Sequence, residues 1–163
     1  MDTMSQRREV KPGSSAAADR RRDIALLLIR AVVGVVFIAH GAQKLFGAFG
    51  GPGLAGTAES WAGLGLQPAN VFALIGGIAE FGGGLLMLAG LLTPVAALTI
   101  VGVMIGAIAL VTGAKGFFIQ NEGYEYNLVL IVLAVAVAIA GPGRLSLDHG
   151  LGLPWARADR GRS

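Results

Sequence analysis

The chain contains four long apolar stretches separated by short polar or glycine-rich segments. They cover residues 24–45, 71–92, 95–111 and 126–140. A helix needs about 20 apolar residues, within a range of about 17–25, to cross a bilayer. The first two stretches meet this length, the third does so with its flanks, and the fourth needs residues 124–127 as its first turn. The pattern therefore predicts an all-α fold, an integral membrane bundle of four helices.

The composition of the 163 residues agrees with a membrane location. Hydrophobic residues make up 54% of the chain and charged residues only 14%, whereas soluble domains hold about 25% charged residues. The 26 glycines suit closely packed membrane helices. The absence of cysteine excludes a disulfide framework, thiol catalysis and an iron–sulfur cluster ligated by this chain alone. Only two histidines are present, far apart, and we expect neither a metal site nor an intrinsic cofactor.

The basic residues are concentrated at the two ends of the chain. Ten of the 13 lysines and arginines lie before residue 23 or after residue 143, and the 46–70 loop has none. The positive-inside rule therefore predicts that both termini are cytoplasmic, in the cell (inner) membrane. No aromatic residues alternate with these bases, so we read them as determinants of topology that contact the bilayer, and we expect no nucleic-acid partner.

Three segments follow from this distribution. Residues 1–23 are expected to form a disordered basic cytoplasmic tail, residues 24–150 the membrane domain, and residues 151–163 a second basic cytoplasmic tail. A signal peptide cleaved near residues 39–41 is an alternative for the N-terminus, but three more spans follow, which favours an uncleaved first span.

The glycine-rich loop between the first two spans invites two interpretations. Residues 57–66 are expected to form a short interfacial helix. The sequence GPGLAG at 51–56 matches the dinucleotide-binding pattern GxGxxG. Because no strand precedes it and no βαβ unit surrounds it, we reject a nucleotide site there.

Polar residues within the spans are the candidates for function, because charges are costly in a bilayer. The first span carries Arg30, His40, Gln43 and Lys44, and Glu80 is the acid that lies well inside the second span. We expect Glu80 to meet either Arg30 or His40. Lys44, near the span's outer end, can alternatively reach water as an interfacial anchor.

Glu80 is surrounded by glycines at helical spacing, namely Gly76, Gly77, Gly83 and Gly84. In one interpretation these glycines let another helix pack closely, and Glu80 is a structural ion-pair partner. In the other, the smooth face and its carboxylate line a cavity for a flat ligand or a proton relay. The sequence leaves both open.

The fourth span begins with Glu125, Tyr126 and Asn127, at the same end of the bundle as Lys44. We hypothesise that these three residues and the polar residues of the first two spans form one polar intramembrane pocket. After the span, Gly-Pro-Gly stops the helix, and Ser146 can cap a short helix that has Asp148 in its first turn. Together with Arg144, these residues form a candidate cytoplasmic docking motif.

Four motifs together resemble the DoxX family over residues 24–150. They are Arg30 with HGAQKLFG at 40–47, GGIAEFGGGLLMLAGLLTP at 76–94, GYEYNLVL at 123–130 and GPGRLSLD at 141–148. The resemblance implies a small four-helix integral membrane protein. Some relatives are subunits of a thiosulfate:quinone oxidoreductase, and others associate with superoxide dismutase and sulfurtransferase partners.

Three functions remain open at this point. The first is a redox-linked membrane subunit that binds a quinone near Glu80, Arg30 and His40 and acts with partner oxidoreductases, because the chain offers no electron carrier of its own. The second is an adaptor that holds soluble redox enzymes at the membrane without chemistry of its own. The third, a small-solute or proton pathway, is less favoured, because four spans are few for a transporter unless it oligomerises.

Overall fold

The structure is a computed structural model and describes residues 13–156. Within that range the chain forms helices and no strand, which confirms the all-α prediction. The helices are α1 (Gly13–Phe46), α2 (Gly53–Gly63), α3 (Ala69–Ala89), α4 (Thr93–Ala107), α5 (Glu125–Ala140) and α6 (Leu147–Gly150).

Four of these helices form a closed antiparallel bundle. Helix α1 packs against α3, α3 against α4, α4 against α5, and α5 back against α1, while α2 lies against α1 and α3. We call the end of the bundle that carries α2 and the α4–α5 connection the loop end. The opposite end, with the α3–α4 turn and α6, is the terminal end.

Three of the described helical segments are long and apolar enough to cross a membrane by length and composition. They are Ala16–Phe46, Ala69–Ala89 and Thr93–Lys115, the last because α4 continues through a π-helical turn at Ile108–Thr112 and a 3-10 turn. Helix α5 has 16 residues and is about 24 Å long, so it is shorter than each of these three segments. The bundle matches the predicted membrane fold.

The surfaces of the bundle show the distribution expected in lipid. Its interior holds tightly packed apolar side chains such as Val33, Met87 and Ile100, which are fully buried. Large apolar side chains also point outward, among them Leu98 and Ile139, which are 73% and 83% exposed. In water such a surface would be unfavourable, but lipid tails are as apolar as these side chains.

Glycines bring α1 and α3 into close contact. A Cβ at Gly41 would lie 2.4 Å from the backbone nitrogen of Phe81, and one at Gly84 would lie 2.7 Å from the backbone nitrogen of Ile38. Only glycine fits at such distances, which is the usual device for close helix packing in membranes. This packing fixes the register of α1 against α3.

Two boundary predictions require correction. Residues 13–23, expected in the disordered tail, belong to α1, because alanines and arginines are strong helix formers and two contacts tie this part of α1 to the bundle. The Arg22 guanidinium donates to the carbonyl of Ala140, and the Asp23 carboxylate accepts the backbone N–H of Arg144 at 2.8 Å. The loop helix begins at Gly53 instead of residue 57. Residues 151–156, expected in the C-terminal tail, are described and include a 3-10 turn at Pro154–Ala156, whereas residues 1–12 and 157–163 lie outside the described residues.

Candidate functional site

The carboxylate of Glu80 forms an ion pair with Lys44. The ammonium nitrogen of Lys44 lies 2.5 Å from each carboxylate oxygen. The side chain of Glu80 is 6% exposed and that of Lys44 is 24% exposed. Glu80 is 11 residues into α3, about 16 Å along its axis, so the pair joins α1 and α3 well within the bundle. The expectation that Glu80 meets Arg30 or His40 is wrong, because the glycine contacts place Lys44 beside Glu80.

The glycines around Glu80 are covered by neighbouring side chains and backbone. A Cβ at Gly76 would lie only 2.3 Å from the Trp61 ring, and one at Gly77 would lie only 2.5 Å from the Leu45 side chain. Gly83 lies against Thr99, and Gly84 against the backbone of α1. The face is therefore a packing surface, as the first interpretation held, and these four glycines do not line an open cavity.

An aromatic pair lies at the edge of the α1–α3 contact. The rings of Phe46 and Phe81 meet edge to face with centroids 5.5 Å apart. Phe46 is 67% exposed, so this pair is open to the surroundings of the bundle. Lys44 lies two residues before Phe46, so its side chain leaves α1 on a different side from the Phe46 ring, and it is the partly exposed member of the ion pair.

The residues at the start of α5 form a separate polar cluster. Asn127 is buried, accepts a hydrogen bond from the Thr112 hydroxyl at 3.2 Å and contacts the Met104 sulfur at 3.4 Å. Glu125 accepts the backbone N–H of Ile119 at 2.8 Å, and Tyr126 points outward. These contacts fasten α5 to α4 and to the connection between them.

The α4–α5 connection carries a second lysine–glutamate pair, between Lys115 and Glu122. This pair is exposed, unlike the pair inside the bundle. The hydrogen bond and the charge of Lys115 lower the pKa of Glu122 from its usual range. The two pairs provide a natural comparison between a surface and an interior site.

The single pocket hypothesised from the sequence is not assembled in the described structure. Among the residues of this hypothesised pocket, the described structure shows one ion pair, between Lys44 and Glu80. His40 is exposed on the outside of α1. Gln43 packs against Gly51, and a Cβ added at Gly51 would lie 2.5 Å from the Cβ of Gln43. Arg30 lies near the opposite end of the bundle. Helical rise alone puts Arg30 about 21 Å from Lys44 along α1, but the partner of Glu80 depends on the register of α1 against α3, which one apolar helix does not specify.

Asp148 is the centre of a buried network at the terminal end. Its carboxylate accepts the backbone N–H groups of Leu92 and Thr93 at 2.7 and 2.8 Å, the Thr93 hydroxyl at 2.7 Å and the Trp155 indole N–H at 2.9 Å. Asp148 is fully buried. It therefore supplies the N-terminal cap of α4 from a segment 55 residues away along the chain.

The pKa of Asp148 reflects two opposing effects. Burial alone would raise it, but the hydrogen bonds from Thr93, Trp155 and Leu92 outweigh burial and hold the pKa below its usual range. The carboxylate is therefore charged at neutral pH. No sequence signal marks this role, because the cap and the helix it caps are distant in the chain.

Arg30 lies next to the Asp148 network, and its side chain is buried, with 1% of the residue exposed. One guanidinium nitrogen donates to the carbonyl of Leu145 at 2.5 Å, while Nε and Nη1 have no hydrogen-bond partner among the described residues. A Cβ at Gly90 would lie 1.8 Å from Nη1, so only glycine leaves room for the guanidinium. Asp148 supplies the negative charge that acts on Arg30.

The candidate docking motif is mostly internal. The Ser146 hydroxyl accepts the N–H of His149 at 3.2 Å, which confirms the predicted cap of α6. Asp148 is buried and committed to α4, so it is not available to a soluble partner. Among the three residues of the motif, only Arg144 has an exposed side chain.

These features define a small helical membrane protein whose described bundle contains a buried ion pair and a buried capping network. The DoxX family model matches residues 25–113, more than half of the chain. The chain therefore belongs to the DoxX family.

Two curated relatives give the family context. The chain is 33% identical to the uncharacterized membrane protein Rv3486 of Mycobacterium tuberculosis over 137 residues, covering 77% of this chain and 80% of that one. It is 32% identical to the putative oxidoreductase CatD of Bacillus subtilis over 108 residues, covering 66% of this chain and 74% of that one. No solved structure matches the chain.

Proposed function

We propose that the protein is a quinone-linked membrane subunit of a redox system. The observation that carries the proposal is the Lys44–Glu80 pair, a buried carboxylate whose cationic partner is partly exposed. Ionisable groups within membrane spans commonly mark proton or ligand pathways. A relative of the chain is named a putative oxidoreductase, which supports the same direction.

The chemistry of a quinone fits the Lys44–Glu80 pair. The flat ring of a quinone requires an apolar or aromatic surface, and its carbonyl oxygen requires a hydrogen-bond donor. Its reduction requires a source of protons. In the proposal the Lys44 ammonium donates a hydrogen bond to the quinone carbonyl, the Glu80 carboxylate holds that ammonium in place, and the protons that the reduction consumes come from water. The electrons come from a partner oxidoreductase.

The first experiment measures the quinone that copurifies with the protein in mild detergent. We expect close to one quinone per chain in the wild type and loss of most of it in Glu80→Gln. Glu122→Gln is the matched control, because it makes the same change in the exposed pair. The double variant Lys44→Met/Glu80→Leu keeps the volume of the pair without its charges and separates loss of binding from loss of folding.

The result also distinguishes the alternative function. Equal quinone in the wild type and in both folded Glu80 variants would contradict the proposal and favour an adaptor that binds soluble redox enzymes. In that case the exposed surface around Arg144 would carry the contact, and Arg144→Glu would release the partner while Glu80→Gln would not.

We further propose that both termini face the cytoplasm from the cell membrane, as the distribution of basic residues indicates. The natural absence of cysteine allows a direct test. A cysteine at Gln120, at the loop end, should react with a membrane-impermeant maleimide added outside intact cells. One at Gly150, at the terminal end, should react only after lysis, and the reverse pattern would refute the orientation.

A further inference from the structure

A groove of about 450 Å³ opens at the terminal end, between the first turns of α1 and the loop that follows α5. It is lined by Ala16, Arg20, Asp23, Ile24, Arg144 and Leu145. The four residues from α1 are spaced so that they share one face of the helix. The groove is far from the Lys44–Glu80 pair, which lies toward the loop end.

The groove combines two cationic side chains with an apolar floor. The Asp23 carboxylate already accepts the backbone N–H of Arg144 at 2.8 Å, which fixes the loop against α1. The side chains of Arg20 and Arg144 remain exposed. Ile24 and Leu145 are 42% and 52% exposed, so the groove presents positive charge and uncovered apolar surface side by side.

The position of the groove corresponds to the boundary between hydrocarbon and headgroups. Arg20 lies one helical turn before Ile24, where the first apolar stretch begins. Basic side chains at this depth meet the phosphates of anionic lipids. A soluble phosphate ester would satisfy the arginines but would leave Ile24 and Leu145 exposed, whereas a lipid covers them with its acyl chains.

We propose that this groove binds one anionic phospholipid, with its phosphate between Arg20 and Arg144 and its acyl chains against Ile24 and Leu145. The lipid would join the N-terminal turns of α1 to the loop after α5. The site is therefore an interaction surface for the bilayer that is distinct from the proposed quinone site at Lys44 and Glu80.

Native mass spectrometry of the delipidated full chain tests this proposal. We expect one phosphatidylglycerol per chain to be retained at concentrations where phosphatidylcholine is not. Arg20→Gln and Arg144→Gln should each weaken retention about fivefold, the effect of removing one arginine at a lipid surface. Arg21→Gln is the control, because it removes the same charge from the same helix outside the groove.

Three results would overturn the proposal. Equal weakening by all three arginine variants would show diffuse attraction instead of a site. Equal retention of phosphatidylcholine would show that charge does not matter. Displacement of the lipid by inorganic phosphate at similar concentration would show a site for a soluble anion. Far-ultraviolet circular dichroism confirms that each variant is folded.

Discussion

Asp148→Ala should be the most destabilising single substitution at the terminal end. The carboxylate accepts four hydrogen bonds, two of them from backbone N–H groups at the start of α4. Alanine leaves these donors without their acceptor and removes the negative charge that acts on the buried Arg30. Each buried donor left without an acceptor costs about 1–3 kcal/mol, and water that enters the space of the lost carboxylate recovers part of this cost.

We therefore expect the free energy of unfolding to fall by about 3–5 kcal/mol in Asp148→Ala, mainly because buried donors lose their acceptor. Asp148→Asn keeps one acceptor oxygen but not the charge and should lose about 1–3 kcal/mol. The assay is unfolding by sodium dodecyl sulfate in mild detergent, followed by far-ultraviolet circular dichroism. In a Trp61→Phe background, the emission of Trp155 reports on the network directly.

Asp19→Ala is the control for this experiment, since Asp19 is exposed on α1 and should change stability by no more than about 0.5 kcal/mol. A loss below about 1 kcal/mol in Asp148→Ala, with unchanged Trp155 emission, would refute the reasoning. It would mean that the segment after α5 does not hold the start of α4.

Three further predictions concern packing, charge and pH. Gly41→Ala should destabilise the protein by about 1–3 kcal/mol in the same unfolding assay, because the added Cβ would overlap the backbone of α3. Gly102→Ala is the control and should not destabilise the protein, because there is open space around Gly102. Equal effects of the two substitutions would contradict the glycine packing. Lys44→Met should lower the free energy of unfolding by about 3–5 kcal/mol, and Lys44→Met/Glu80→Leu should lower it much less. A double variant as unstable as the single variant would contradict the interpretation of Lys44 and Glu80 as an ion pair. Hydrogen bonds lower the pKa of Asp148 in the folded state. The stabilisation by Asp148 is therefore present above its unfolded pKa of about 3.9 and is lost as the pH falls through its folded pKa. When stability is measured against pH, the wild type should show this loss and Asp148→Asn should not.

The close comparison between the two lysine–glutamate pairs shows why burial matters more than residue type. Lys115 and Glu122 are neighbours in an exposed loop, and pairs of that kind contribute about 0–1 kcal/mol. Lys44 and Glu80 are the same residue types, but the glycine-mediated contact of α1 and α3 places them inside the bundle. Their removal one at a time is therefore expected to have a larger effect.

The sequence by itself determined the class of fold. Four apolar stretches and a low content of charge predict a membrane bundle, because hydrocarbon accepts only helices or closed barrels that satisfy their own backbone groups. Local signals also placed the short helix after Ser146 and the end of α5 before Gly141, since capping and glycine act within a few residues. The family motifs agreed with this architecture.

Only the tertiary structure decided which polar groups meet. The register of α1 against α3 depends on side chains and glycines from both helices, so the sequence of one span could not show that Glu80 pairs with Lys44 and not with Arg30. The same applies to Asp148, which looked like part of an exposed motif and instead caps α4 from a distant segment. Apolar patterning fixes which residues enter the membrane, but contacts between distant segments fix their neighbours.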